Sequence, residues 1–235
     1  MTSVPSPPYF ELSDEELRKV LAELDERLEE FLGIPDFERR PVVDELVLTI
    51  LSQNTNDRNR DKAFRAMKEE YSNWSAVADA PEEELIEVLR PAGLAPQKAP
   101  RIQNILRNAR DAGDIEMKYL ADMSSEDAEK HLLQMRGVGI KTAYCVLLFS
   151  ARQPVYAMDT HVIRIFKRVS LLPSSANVEK AHRKFSDLVD KGRHEPFHLN
   201  VIKLGREVCK ARKPDCAQCP LSDICSFAGD EASEQ

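Results

Sequence analysis

Residues 132–150 read LLQMRGVGIKTAYCVLLFS, and their reading decides the fold. Gly137 and Gly139 stand two apart in a tight turn, with apolar Leu132, Leu133 and Met135 before it and Ala143, Val146 and Leu147 after it. Apolar positions at that spacing place two helices back to back across the turn. Glycines in the turn leave backbone amides uncovered, and the following helix begins at once, so its positive end favours an anion. A DNA phosphate meets that description, and such a contact fixes register on the backbone without reading bases. A plain tight loop between packed helices would carry the same residues.

Outward from the hairpin, the rest of the chain also reads as helix. Ser13-Asp14-Glu15-Glu16 forms a capping box. A helix follows it to Leu32, with Leu17, Val20, Leu21, Leu24, Leu28 and Phe31 on one face. Val42–Leu51 is almost wholly apolar in its second half, the pattern of a buried helix. Further helices are expected at 57–71, 82–90, 97–112, 126–135, 141–150, 160–169, 178–191 and 196–209. Breaks at Pro35, Pro41, Pro81, Pro91, Gly93, Pro96, Gly113, Pro154, Pro173 and Pro196 fall mostly between them. Only Val155-Tyr156-Ala157 could be a short extended piece, so the expected class is all-α.

At 235 residues and 42% hydrophobic content, the chain can build one large core or two modest ones. Its formal net charge of -7 argues superficially against a nucleic-acid partner. The distribution says otherwise: residues 1–50 carry thirteen acidic and five basic side chains, whereas Lys203, Arg206, Lys210, Arg212 and Lys213 crowd one short segment with a single Glu. In that segment begin Cys209, Cys216, Cys219 and Cys225, spaced C-x6-C-x2-C-x5-C; elsewhere cysteine occurs only at Cys145. Four thiolates in one short run suit an iron–sulfur cluster or a tetrahedral zinc, and spacing alone does not separate the two. The first residues show no basic and apolar leader and no window offers a membrane helix. A cytoplasmic protein, nucleoid-associated if prokaryotic, is therefore expected, in which disulfides are the poorer reading.

The hairpin, the segment Ala157-Met158-Asp159-Thr160-His161-Val162 whose Asp159 lies eighteen residues past Lys141, and the terminal cysteines occur together and in order. In these three motifs the chain resembles the endonuclease III family of helix-hairpin-helix DNA glycosylases and AP lyases, from about Glu45 to Cys225. The resemblance implies a two-lobed fold, a 4Fe–4S cluster on the four cysteines, and a partner of double-stranded DNA containing a damaged base or an abasic site. It implies a bifunctional enzyme of base excision repair, acting as a monomer on oxidised pyrimidines. Lys141 would be the nucleophile at C1′ of the sugar, which requires its neutral amine. Asp159, whose local pattern also marks an N-cap, would stabilise developing charge and assist proton transfer.

By the same resemblance, Leu94 would wedge into the stack and a residue of Leu51-Ser52-Gln53-Asn54-Thr55 would fill the gap left by the flipped nucleotide. Asn54 stands where family members usually carry Gln, with Gln53 beside it. Gly137, Val138, Gly139, His161, Lys210, Arg212 and Lys213 complete the expected DNA contacts. Residues 42–150 are expected to form a helical barrel ending in the hairpin, and 13–41 with 151–226 a discontinuous cluster lobe. Residues 1–12 would be a disordered start and 227–235 an acidic tail. Two alternatives stay open: an abasic-site lyase with weak glycosylase activity, and a non-enzymatic iron–sulfur DNA-binding or redox module. The second would have no need of the Lys141 and Asp159 pair.

Overall fold

The computed structural model describes residues 8–228. Residues 1–7 of the Pro-rich start, and Asp230, Glu231 and Glu234 of the acidic tail, lie outside them. Among the described residues all regular structure is helical, and Val155–Ala157 belongs to neither a helix nor a strand. The chain divides into two units, 38–153 and the combination of 1–37 with 154–235. The expected division was at 41/42 and 150/151.

In chain order α1 (Asp14–Leu32) belongs to the discontinuous unit, and the continuous unit opens with α2 (Val42–Ser52). Pro41 precedes α2, and Val43, Leu46, Val47, Ile50 and Leu51 are all buried. Each such side chain contributes about 1.5–3 kcal/mol when fully removed from water. Around α2 stand α3 (Asp57–Glu70), α6 (Ala95–Asp111) and α8 (Ile140–Phe149). Asn56 caps α3 by accepting from the Asn59 amide, and Ser124 caps α7 (Ser125–Leu133) in the same way. The short α4 (Trp74–Asp79), capped by Asn73, and α5 (Glu82–Leu89) pack on α6. Pro96 was expected to break the chain but sits in the first turn of α6, where its missing N–H has no intrahelical partner to lose.

In the discontinuous unit the capping box forms as expected, Ser13 accepting from Glu16 and Glu16 from the Ser13 amide. Leu17, Val20, Leu21, Leu24 and Leu28 of α1 enter a core with Tyr156, Phe166, Phe185 and Phe197. These come from the segment before α9 (Thr160–Arg168), from α9 itself, from α10 (Val178–Leu188) and from α11 (His194–Glu207). Phe31 was expected on that face and is 47% exposed. The last turn of α1 reaches the edge of the core before Gly33 ends it, and Leu32 takes the packed position instead. A disordered start was expected through residue 12, yet Tyr9 is fully buried and its hydroxyl donates to the Ile224 carbonyl at 3.0 Å.

Candidate functional site

The hairpin separates the two glycines by role. Gly137 has φ +90°, in the left-handed region where a side chain is strained, and a Cβ there would fall 2.2–2.8 Å from Arg101 Nε, Cδ and Cγ. Gly139 has φ -92°, and a Cβ there would meet nothing. Neither backbone conformation nor packing within the protein asks for glycine at 139. Val138 does not serve as an exposed contact: its side chain is buried and its amide donates to the Met135 carbonyl at 3.0 Å. The donors available to an anion are the amides at the start of α8, since its N-cap Gly139 has no side chain to satisfy them. Lys141 is the second residue of α8 and is exposed.

Two loops of the same unit carry unusual backbone. Leu94 stands at φ +51° as the N-cap of α6 and is 44% exposed, which excludes a core role for it. Asn54 stands at φ +54° and is exposed. A bulky residue in left-handed conformation costs about 1–2 kcal/mol, and burial of the half-exposed leucine side chain offsets only part of it. Gln53, next to Asn54, is engaged: its Oε1 accepts from Arg101 Nη1 at 2.9 Å.

Sequence reasoning missed Lys98 and Arg101 of α6. Lys98 is 2% exposed, and its Nζ donates to the Leu51 carbonyl at 2.8 Å and the Ala92 carbonyl at 2.9 Å. Burial, and secondly the Arg101 charge, push its ammonium below the ordinary lysine range. A signal was available, because Lys98 falls in the apolar stripe of Ala95, Ala99, Ile102 and Leu106.

In the discontinuous unit Asp159 caps α9, its Oδ1 accepting from the Val162 amide at 2.8 Å. That cap holds the carboxylate at a helix start whatever else it does. His161 is half-buried, and burial holds its imidazole below the ordinary histidine range. Arg164 Nη2 lies 3.1 Å from His161 Nδ1 and donates to the carbonyls of Gly205 at 2.8 Å and Cys209 at 3.0 Å. A Cβ on Gly205 would come 2.7 Å from His161 Nδ1, so a glycine is needed there for this approach. One turn on, Arg168 donates to Cys209 Sγ and to the carbonyls of Lys210 and Ala211. These two arginines, also missed, tie the α9 segment to the first cysteine.

Cys209, Cys216, Cys219 and Cys225 line one cavity. Burial, then the neighbouring thiols, push Cys219 up to about 11, and burial also raises Cys225. Burial of this kind opposes ionised sulfur, and a bound metal centre would supply the positive charge that thiolates need there. Four cysteines lining one cavity are a donor set that suits a polynuclear iron–sulfur cluster or a tetrahedral zinc. Lys210, Arg212 and Lys213 are exposed on the loop between the first two cysteines, whose backbone Arg168 holds.

Residues 47–191 match the model of the HhH-GPD superfamily of base excision DNA repair proteins, and residues 209–225 match the iron–sulfur binding domain of endonuclease III. The latter range begins and ends on the outer cysteines. Endonuclease III of Thermotoga maritima is 32% identical over 77% of this chain and 81% of its own length. An Arabidopsis thaliana protein assigned as a DNA glycosylase is 36% identical over 80% of this chain, which spans 64% of that relative's length. A solved non-covalent endonuclease III–DNA complex superposes with a TM-score of 0.77 at 26% identity, covering 94% of this chain and 99% of that one.

Proposed function

Because this chain belongs to the HhH-GPD superfamily of base excision DNA repair proteins, we propose that Lys141 is its nucleophile, Asp159 its charge-stabilising partner and an oxidised pyrimidine its target. The protein is a DNA glycosylase and AP lyase carrying an endonuclease III type 4Fe–4S cluster. The observation that carries the reading is Lys141, exposed in the first turn of α8 directly after a hairpin whose N-cap leaves the helix amides uncapped.

The neutral amine of Lys141 attacks C1′, the C1′–N bond to the base breaks, and its electron pair leaves with the base. The carboxylate of Asp159 stabilises positive charge developing on the sugar, and assists transfer of the ammonium proton. Loss of that proton and opening of the sugar ring give an imine between Nζ and C1′. The imine makes the C2′ proton acidic; its removal expels the 3′ phosphate, and water then hydrolyses the imine to release Lys141. The amides at the start of α8 hold a backbone phosphate beside the nucleophile. Once bound by the four cysteines, the cluster supplies a rigid anchor for the Lys210–Lys213 loop, whose cations grip further phosphates. Leu94 acts as wedge and Asn54 as plug, since Gln53 is engaged by Arg101. The enzyme works as a monomer, in the cytoplasm or on a nucleoid.

Borohydride trapping tests this on duplexes carrying thymine glycol, an abasic site or a mismatch. Wild type should crosslink and Lys141→Gln should not; absence of any Lys141-dependent crosslink overturns the mechanism. A second reading, an abasic-site lyase with weak glycosylase activity, is favoured by the shorter Asn54 at the plug position. It predicts crosslinks on the abasic duplex alone.

A further inference from the structure

Lys98 presents a problem that the reaction does not solve. Its amine lies in the interior of the helical unit, 2% exposed, and among the described residues no carboxylate pairs with it. Taking an ammonium out of water costs several kcal/mol, and a methionine at the same point of the apolar stripe would avoid that cost. What the ammonium contacts are two main-chain carbonyls, Leu51 at 2.8 Å and Ala92 at 2.9 Å. Leu51 lies at the C-terminal end of α2, and Ala92 ends the 3-10 turn Arg90–Ala92. The negative ends of both elements thus face one cation, which is how the buried charge is compensated.

Each carbonyl starts a loop. From Leu51 the chain runs to Asn54, and from Ala92 to Leu94, two of the six non-glycine residues that stand in left-handed backbone among the described residues. Conformations of that kind persist only where the surroundings over-determine them. One turn along α6, Arg101 makes the next links. It donates to Gln53 at 2.9 Å, and its stem lies over Gly137, where no Cβ could fit without moving it. One face of α6 thereby joins the Leu51–Asn54 turn, the Ala92–Leu94 turn and the glycine hairpin.

We propose that Lys98 and Arg101 are positioning residues for nucleotide extrusion: they brace the wedge and plug loops as a unit, so that Leu94 and Asn54 enter the duplex together. The inference rests on the roles given above to those two residues. A brace of this kind acts when a stacked, paired nucleotide must be displaced, and little when the nucleotide is already unpaired. Lys98→Met keeps the stem and removes both donations. Arg101→Met, at a half-exposed position, releases the plug turn alone and so keeps the question open to test even where Lys98→Met does not fold.

Two readouts decide it. The first is the unstacking fluorescence of 2-aminopurine placed beside an abasic site in duplex DNA, measured without borohydride, so that no chemistry is required. The second is the ratio of thymine glycol excision in duplex to that in single strands. Both variants should lower the fluorescence amplitude at saturating protein, and should lower the excision ratio about tenfold, through kcat rather than KM, as loss of a charge-assisted hydrogen bond would. Unchanged amplitude with an unchanged ratio, or an equal loss on duplex and single strand, overturns the brace. Failure of wild type to crosslink through Lys141 would instead overturn the catalytic reading, while the fluorescence comparison would still report on the loops.

Discussion

Replacing each hairpin glycine by alanine should produce opposite defects. At Gly137 the left-handed backbone costs an L-residue about 1–2 kcal/mol, and the new Cβ must push Arg101 aside. The displaced guanidinium loses its bond to Gln53, worth about 1–2 kcal/mol at a partly exposed site. A loss of roughly 2–4 kcal/mol lowers Tm by roughly 6–12 °C in a chain of this size. At Gly139 the protein offers the Cβ open space at an allowed φ. Alanine is a poorer N-cap by about 0.5–1 kcal/mol, and the reduced freedom of the unfolded chain returns about 0.4–1 kcal/mol. Gly139→Ala should therefore melt as wild type does. A phosphate seated on the α8 amides, however, would meet the added methyl and lose at least one charge-assisted bond, about 1.5–3 kcal/mol, or tenfold and more in Kd. Calorimetry and fluorescence anisotropy on an abasic duplex measure the two effects. If Gly139→Ala binds DNA as tightly as wild type, the phosphate does not sit on that backbone and the argument from the open Cβ fails.

Neutralising Lys210, Arg212 and Lys213 together should weaken DNA binding and make the slope of log Kobs against log salt shallower by up to about 2.7, near 0.9 per lost phosphate contact; an unchanged slope removes the loop from the interface. Wild type should contain about four iron and four sulfide per chain, and Cys216→Ser should lose both along with part of its DNA affinity; a colourless protein holding zinc and no sulfide would refute the cluster. Glu45 is buried in α2, and burial raises its carboxyl, against a smaller lowering by Arg40. A raised carboxyl favours folding fully below its unfolded pKa of about 4.3 and loses that advantage as pH climbs through the folded value. The Tm of Glu45→Gln minus that of wild type should consequently grow as pH rises above about 4.3, and a flat difference would show that burial does not raise the Glu45 carboxyl.

Features that depend on local pattern were legible in the sequence. The Ser13 box, the apolar run of α2 and the glycine hairpin each combine a cap or turn residue with a periodic face, and each stands within a residue or two of its expected place. The helix at Trp74–Asp79 was not seen, because six residues complete fewer than two turns and leave no periodicity to detect. Phe31 was misplaced because a stripe on a helix tells which face is apolar but not where the core beneath it ends. The arginines that hold Cys209 were invisible for another reason. Arg164 and Arg168 stand one turn apart on α9 and look like a solvated face, yet they bond to backbone carbonyls more than forty residues away.

The plug turn shows where such reading stops. Gln53 and Asn54 are neighbours of similar chemistry, and either amide could fill a gap in a duplex. The choice between them follows from groups far away in sequence: Lys98 fixes the carbonyl at which the turn begins, and Arg101 takes hold of Gln53. Beside the held Gln53, Asn54 stands in left-handed backbone and is exposed. Asparagine tolerates that conformation better than glutamine, since its short amide can bond to nearby backbone. Asn rather than Gln at position 54 therefore suits the left-handed backbone there, and it gives the proposed plug a shorter side chain.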